Sequence, residues 1–309
     1  MSEELALSAD DTKPGTSAGE PRTTPGGKQT KKPGTDWASE VRGIFWLILA
    51  VLGFHSFIAK PFYIPSESML PGLLVGDQLV VSKFPYGWSF VSPTFHLLPF
   101  IPGRLLGHLP ERGDVVIVTP PGTKTDYIKR LIGLPGDRLE VRDGTVILNG
   151  VPVKRGPLHY VDIPNYGAAP LPSPEAGVTC DPSQYDDALH TAPNGKSVCR
   201  LPLVTETLPN GRHYDTVDLG SYPGDNYPAI TIPANHVFLM GDNRDRSADS
   251  RFPLSEQGLG GPVPWEYLGG RAEFITFSKT GLGSWNPLTW GQSFRGGRAG
   301  TSLHASRSK

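Results

Sequence analysis

Cysteine is scarce: the 309 residues include only Cys180 and Cys199. Two cysteines with no C-x-x-C or H-x-x-x-H pattern nearby make no zinc site, which takes three or four ligands. Net charge is scarce too. Lys plus Arg number 29 against 30 Asp plus Glu, a formal −1. Without a basic excess the chain offers no footing for nucleic-acid phosphates. Amphipathic helical periodicity of useful length is missing outside one segment. No Gly-x-y period runs along the chain, which excludes a collagen-like fold.

What the chain has instead is 37 glycines and 32 prolines. That is roughly a fifth of its residues, between ordinary usage and low complexity. Proline costs about 3 kcal/mol in a helix interior and glycine about 1, so helix bundles and coiled coils are excluded. The 38% of hydrophobic residues suffice for one sizeable core or two.

Residues 1–35 are rich in Ser, Thr, Gly, Pro and Lys and poor in large apolar side chains. They cannot bury enough surface to offset ordering entropy. With the flank up to residue 42 they read as a disordered N-terminal tail. Gly43–Ala59 then carries no Asp, Glu, Lys or Arg. At about 1.5 Å per residue it spans roughly 26 Å, enough for a short membrane helix over 43–60 with Lys60 snorkelling at its end. A buried soluble helix and a cleaved signal peptide are the alternatives. Against the second stand the long preceding tail and the missing A-x-A site. Lys28, Lys31, Lys32 and Arg42 precede the segment, and Lys60 alone follows within twenty residues. The positive-inside rule then predicts a single-pass type II topology, with a cytoplasmic N-terminus and everything after residue 60 outside. His55 falls near the outer end of the span and reads as an interfacial imidazole. An external location also permits Cys180 and Cys199 to pair as a disulfide.

Beyond the anchor, apolar residues alternate. Asp77–Phe84, Asp114–Thr119, Arg138–Gly150, His236–Met240 and Ala272–Ser278 read as strands. Asp143-Gly144 is a type I′ hairpin signal. The expected fold is mainly β, an antiparallel catalytic domain behind one N-terminal transmembrane helix. Its core falls in two parts, 61–153 and 236–280. Between them 154–235 reads as a loop-rich insertion or minor subdomain, and 281–309 as a flexible C-terminal tail.

Three segments carry candidate chemistry: IPSESMLPGLLVGDQLVVSKF from Ile64, RGDVVIVTPPGTKTDYIKRLIGLPGD from Arg112, and GDNRDRSADSR from Gly241. Each alone fits an ordinary loop or strand end. In this order, after an anchor, they resemble the conserved boxes of type I signal peptidases (peptidase family S26), the membrane-anchored serine–lysine proteases that remove signal peptides. The long insertion and the segment around GGPVPW look most like versions from high-GC Gram-positive bacteria.

The resemblance implies Ser68 as nucleophile and Lys129 as general base. It implies an oxyanion hole from the Ser66 hydroxyl and the Ser68 backbone N–H. Ser247 would orient the lysine, with Asp249 and Arg251 as the supporting ion pair. Glu67 stands where many members have Gly. Phe62, Ile64, Pro65, Met69, Tyr127 and Ile128 are candidate apolar walls for substrate and for the lysine. Such walls are needed, because lysine near its free pKa of about 10.4 is protonated, and burial can lower it by several units. The implied substrates are signal peptides of exported preproteins, cut after small residues at −1 and −3. Ser68, nine residues after Ala59, would stand at the outer membrane surface. The expected partners are those peptides and membrane lipid, with no nucleic acid, metal or cofactor.

Other readings are weaker. Asp245, Ser247, Asp249 and Glu256 imitate the spacing of a Ca²⁺ loop, but Ser250 takes the place of its essential Gly. Lys279-Thr280-Gly281 lacks a companion S-x-x-K outside the chain end. None of the eight histidines falls in the three boxes, which disfavours a Ser-His-Asp triad. Self-cleaving repressors share a Ser–Lys core but carry a DNA-binding domain in place of an anchor. A non-catalytic, membrane-anchored binding protein, a degenerate paralogue, is the alternative from another class.

Overall fold

The computed structural model describes residues 37–93, 103–165, 188–280, 291 and 293–307. Most of the expected N-terminal tail, and Cys180, lie outside the described residues. A helix, α1, runs from Trp37 to Phe57 with a mean hydropathy of 1.5 in its most apolar window. It begins six residues before the expected Gly43, because Trp37, Ala38 and Val41 continue the helical run. Its side chains from Ile44 to Leu49 are all about half exposed or more. A long helix with so many exposed apolar side chains suits a membrane span. The helix stops at Phe57 because Pro61, which has no N–H to give, lies just beyond. Ala59 and Lys60, expected to end the membrane segment, belong instead to the first strand. Pro61 is tolerated there because that strand is a sheet edge.

The strands are, in chain order, β1 (Ala59–Tyr63), β2 (Asp77–Ser82), β3 (Val115–Val118), β4 (Tyr127–Gly133), β5 (Arg138–Arg142), β6 (Thr145–Leu148), β7 (Val151–Pro152), β8 (Lys154–Arg155), β9 (His159–Pro164), β10 (Leu189–Thr191), β11 (Ser197–Thr207), β12 (Arg212–Val217), β13 (Tyr227–Thr231), β14 (His236–Met240), β15 (Val263–Pro264), β16 (Leu268–Ser278) and β17 (Ser306–Arg307). A seven-stranded sheet has the order β1-β2-β16-β3-β4-β14-β15, and its ladders are antiparallel. In its centre every residue of β3, and every residue of β4 after Tyr127, is buried. Continuous apolar runs such as Val-Val-Ile-Val are what a strand covered on both faces requires. Beneath the nucleophile loop lies a core of Ile64, Met69, Leu73, Leu79, Val81 and Ile128, among others. A four-stranded sheet, β13-β5-β6-β7, contains the expected hairpin. Asp143 and Gly144 take φ of 45° and 71°, the left-handed pair a type I′ turn needs.

Two expectations are corrected. The described residues of 154–235 are not mainly loop: β8–β13 fall there, and β11 organises a six-stranded sheet by pairing with β8, β9, β10 and β12. The C-terminal segment does not fray where it is described. Leu303 enters the main core, the Arg298 guanidinium grips the buried Asp77 carboxylate at 2.5 and 2.9 Å, and β17 pairs with β12. Gly-rich composition hid these few anchoring side chains.

Candidate active site

The loop from Ile64 to Gly76 joins β1 to β2 and is tied at its base. Ile64 N–H donates to Asp77 O and Gly76 N–H to Ile64 O, both at 2.9 Å. Gly76 has φ +95°, and a Cβ there would fall 2.2 Å from Lys279 O, so no other residue fits. The loop's upper part is held from the third box. Asn243 N–H donates to Ser68 O at 3.1 Å, and Asn243 Nδ2 to Glu67 O at 3.2 Å. The backbone of Ser68 is thus set by hydrogen bonds before any substrate arrives.

Lys129 enters from the buried strand β4. Its Nζ lies 2.9 Å from Ser68 Oγ and 3.0 Å from Ile128 O. Both residues are buried, at 4% and 7% exposure. Burial pushes the Lys129 amine down to about 8, against the Asp249 and Asp242 carboxylates, which favour the ammonium. A lysine poised there is largely deprotonated at mildly alkaline pH and can accept a proton from the hydroxyl it touches. Ser66 Oγ is 3.4 Å from Ser68 Oγ.

Ser247 is buried, and among the described residues its hydroxyl has no hydrogen-bond partner. It packs against Gly241: a Cβ on Gly241 would meet Ser247 Oγ at 2.2 Å and Ser68 O at 2.4 Å. The third box thus reaches the Ser68 loop through a glycine that leaves no room for a side chain. Asp249 is fully buried and takes two bonds from the Arg251 guanidinium, at 2.9 Å each, one from the Arg251 backbone N–H at 3.1 Å and one from Gly241 N–H at 3.0 Å. Burial alone would raise its carboxyl, but Arg251 and these hydrogen bonds hold it below the usual carboxylate range. Asp249 is spent on Arg251, and Asp245 accepts from Leu219 N–H at 2.5 Å, so the Ca²⁺-like spacing serves internal bonds.

A cleft of about 300 Å³ opens over Ser68 and Lys129, with Phe62, Pro65, Tyr127 and Ile128 in its walls. Arg246 and Gln257 also line it. The other two expected wall residues are elsewhere: Ile64 and Met69, each 1% exposed, are core beneath the loop. They alternate with wall residues on the same short segment, so their side chains face the other way.

Sequence reading missed the ion pair behind the lysine. Arg130 donates to Asp242 at 2.7 and 2.5 Å, and its guanidinium lies 4.1 Å from the ring centre of Tyr214. Arg244 in turn pairs with Glu206 of β11 at 2.6 and 2.7 Å. The charged residues flanking Lys129 and Gly241 in the boxes were the available signal.

The matched family model is that of signal peptidase, peptidase S26, and it covers residues 37–277. The chain belongs to this family. It is 32% identical to signal peptidase I of Rickettsia typhi over 248 residues, 77% of this chain and 80% of that protein. It is 32% identical to that of Rickettsia massiliae over 252 residues, 79% of each. A solved signal peptidase I from Enterococcus faecalis is 22% identical, with a TM-score of 0.26, covering 53% of this chain and 97% of that one. The signal peptidase family supplies the activity class, a serine peptidase that removes signal peptides, and the apolar N-terminal helix supplies its membrane anchor.

Proposed function

We propose that this signal peptidase works by a Ser68–Lys129 dyad. Neutral Lys129 takes the proton of Ser68 as Oγ attacks the scissile carbonyl. The Ser68 N–H and the Ser66 hydroxyl stabilise the oxyanion. The Lys129 ammonium then gives its proton to the leaving amine, breaking the peptide bond and leaving an acyl-enzyme. Lys129 next deprotonates a water, which releases the signal-peptide carboxylate and restores Ser68. Ser247 offers the amine a neutral hydroxyl, and Asp249 with Arg251 holds the loop that carries it.

The observation that carries this reading is the 2.9 Å approach of a buried amine to a buried serine hydroxyl. The cleft of about 300 Å³, walled by Phe62, Tyr127 and Ile128, suits a chain with small residues at −1 and −3. The positive flank before α1 supports a type II orientation that sets the cleft at the outer membrane face. A complete dyad disfavours the non-catalytic alternative.

Ser68→Ala is expected to abolish cleavage of a fluorogenic signal-sequence peptide while the circular dichroism spectrum stays unchanged. Retained cleavage by that variant removes Ser68 from the role.

A further inference from the structure

We infer that Arg246 is a specificity residue for the leaving chain, taking an acidic side chain at the first or second residue of the mature protein. The inference rests on the Ser68–Lys129 reading, which fixes where the scissile bond lies.

The third box holds three arginines, Arg244, Arg246 and Arg251. Arg244 and Arg251 are 6% and 8% exposed and pair with Glu206 and Asp249. Their charges are spent inside the protein, on buried carboxylates. Arg246 is half-buried and lines the cleft that opens over Ser68. It is firmly held. Its N–H donates to Asn243 O at 3.2 Å, in the turn whose Asn243 N–H holds Ser68 O. Its guanidinium carbon lies 5.7 Å from the ring centre of Tyr222. Tyr222 is set by a tight turn of its own: its N–H donates to Asp225 Oδ2 at 2.7 Å, and Asp225 N–H donates back to its carbonyl at 3.0 Å. A guanidinium lodged beside an aromatic ring keeps its N–H fork pre-organised for a carboxylate.

Strand direction decides which part of the substrate meets it. Four successive antiparallel ladders, β1–β2, β2–β16, β16–β3 and β3–β4, make β1 and β4 run the same way. Both reach the dyad from one side. β1 leads through Pro65 to Ser68, and Asp126, Tyr127 and Ile128 lead to Lys129. The apolar walls proposed for the −1 and −3 residues lie on that approach. Arg246, Ala248 and Gln257 complete the lining from the third box and the turn after it. A substrate that fills the approach with its leader leaves past the third box. The two ends differ in charge. The approach carries Asp126, 4.0 Å from Lys60, and the exit carries Arg246. An acidic side chain is drawn to the exit, and a basic one is repelled there.

The test measures kcat/KM for signal-sequence peptides identical except for Glu, Ala or Lys at +1 or +2, or at −2, with the cut mapped by mass spectrometry. The readout is the Glu-to-Lys ratio within each enzyme, which a general loss of activity does not move. The unsubstituted chain should prefer Glu to Lys at one of the mature positions roughly tenfold, the scale of a partly exposed ion pair gained and a like-charge contact avoided. The preference should fall toward unity in about 1 M salt, where the screening length shrinks to about 3 Å. Arg246→Lys should keep most of it, Arg246→Gln abolish it and Arg246→Glu invert it. Ratios at −2 should be the same in every enzyme.

No preference in the unsubstituted chain, a preference that survives Arg246→Gln, or one that follows the −2 residue overturns the proposal. Cleavage by Ser68→Ala would overturn the dyad reading, and the exit assignment with it. A missing charge preference beside an inactive Ser68→Ala overturns the role of Arg246 alone.

Discussion

Lys83 and Lys129 are two buried lysines with different surroundings. They are 3% and 4% exposed. Burial pulls each amine down to about 8, helped at Lys83 by the neighbouring cations Lys60 and Arg104 and opposed by Asp126. The Lys83 amine lies 5.8 Å from the ring centre of Phe62, behind a wall of the cleft. Lys129 reaches Ser68 Oγ at 2.9 Å. The comparison teaches that a lowered pKa follows from burial wherever a lysine is enclosed. A catalytic base also needs a hydroxyl within hydrogen-bond reach, and that is a matter of which strand carries the lysine.

The strongest way to break the comparison is to remove each amine. Lys129→Met should lower kcat/KM by about 10³-fold or more, the range of a lost general base and activated nucleophile. Lys83→Met, which leaves a buried methylene chain in place, should change it by less than about threefold. Comparable losses in the two variants, with both folded by circular dichroism, would show that Lys83 shares the chemistry.

A glycine stands beside each lysine's region and offers a second contrast. At Gly241 a methyl would collide with Ser247 Oγ at 2.2 Å and with Ser68 O at 2.4 Å. At Gly269 it would meet Ile117 Cγ2 at 3.4 Å and Lys83 Nζ at 3.7 Å. Gly241→Ala should therefore push the nucleophile loop out of register and lower kcat about 10²-fold, as a displacement near 1 Å can. Gly269→Ala should leave kcat nearly unchanged. Single-turnover cleavage separates the two.

The contrast between the lysines also fixes what pH should do. Lys129 must be neutral to act, so kcat/KM should climb as pH rises through about 8 and then level. The Lys83→Met variant should show the same profile. Stability runs through both lysines. In the unfolded chain each titrates near 10.4, so between about 8 and 10.4 the unfolded state binds more protons and stability rises with pH. Below about 8 the burial penalty of the ammonium is fully present. Each lysine accounts for an effect of order 3 kcal/mol across the window. Lys83→Met should flatten the rise of Tm between pH 8 and pH 10 in detergent without moving the rate profile. A shifted rate profile would tie Lys83 to the site.

Much of the fold was readable because period-two alternation and Asp143-Gly144 are local signals. Ser68, Lys129 and Ser247 were readable only through ordered boxes that resemble a family, since nothing local distinguishes a loop serine. What escaped depended on distance or direction. Arg130 and Asp242 are adjacent in space but 112 residues apart in the chain, and no spacing rule joins them. Ile64 and Met69 lie beside wall residues in sequence, and only the backbone trace shows that they point into the core. Strand β11 escaped because Pro202 interrupts its pattern. In the sheet that proline meets Tyr160 of β9, and its carbonyl accepts from Asp218 N–H at 3.2 Å.

The smallest expected effect lies in that second sheet. Cys199 on β11 is 1% exposed, and its proposed partner Cys180 belongs to the segment before β10. A bond closing a loop of that length is worth about 3 kcal/mol through the unfolded chain. Reducing it should lower Tm by roughly 5–10 °C. It should leave cleavage at moderate temperature almost untouched, because Cys199 takes no part in the Glu206–Arg244 pair through which β11 meets the third box. Thiol labelling of the unreduced, denatured protein decides the premise: two reactive thiols would show that the bond is absent. A large loss of kcat on reduction would make the second sheet a working part of the site, on a par with the strand that carries Lys129.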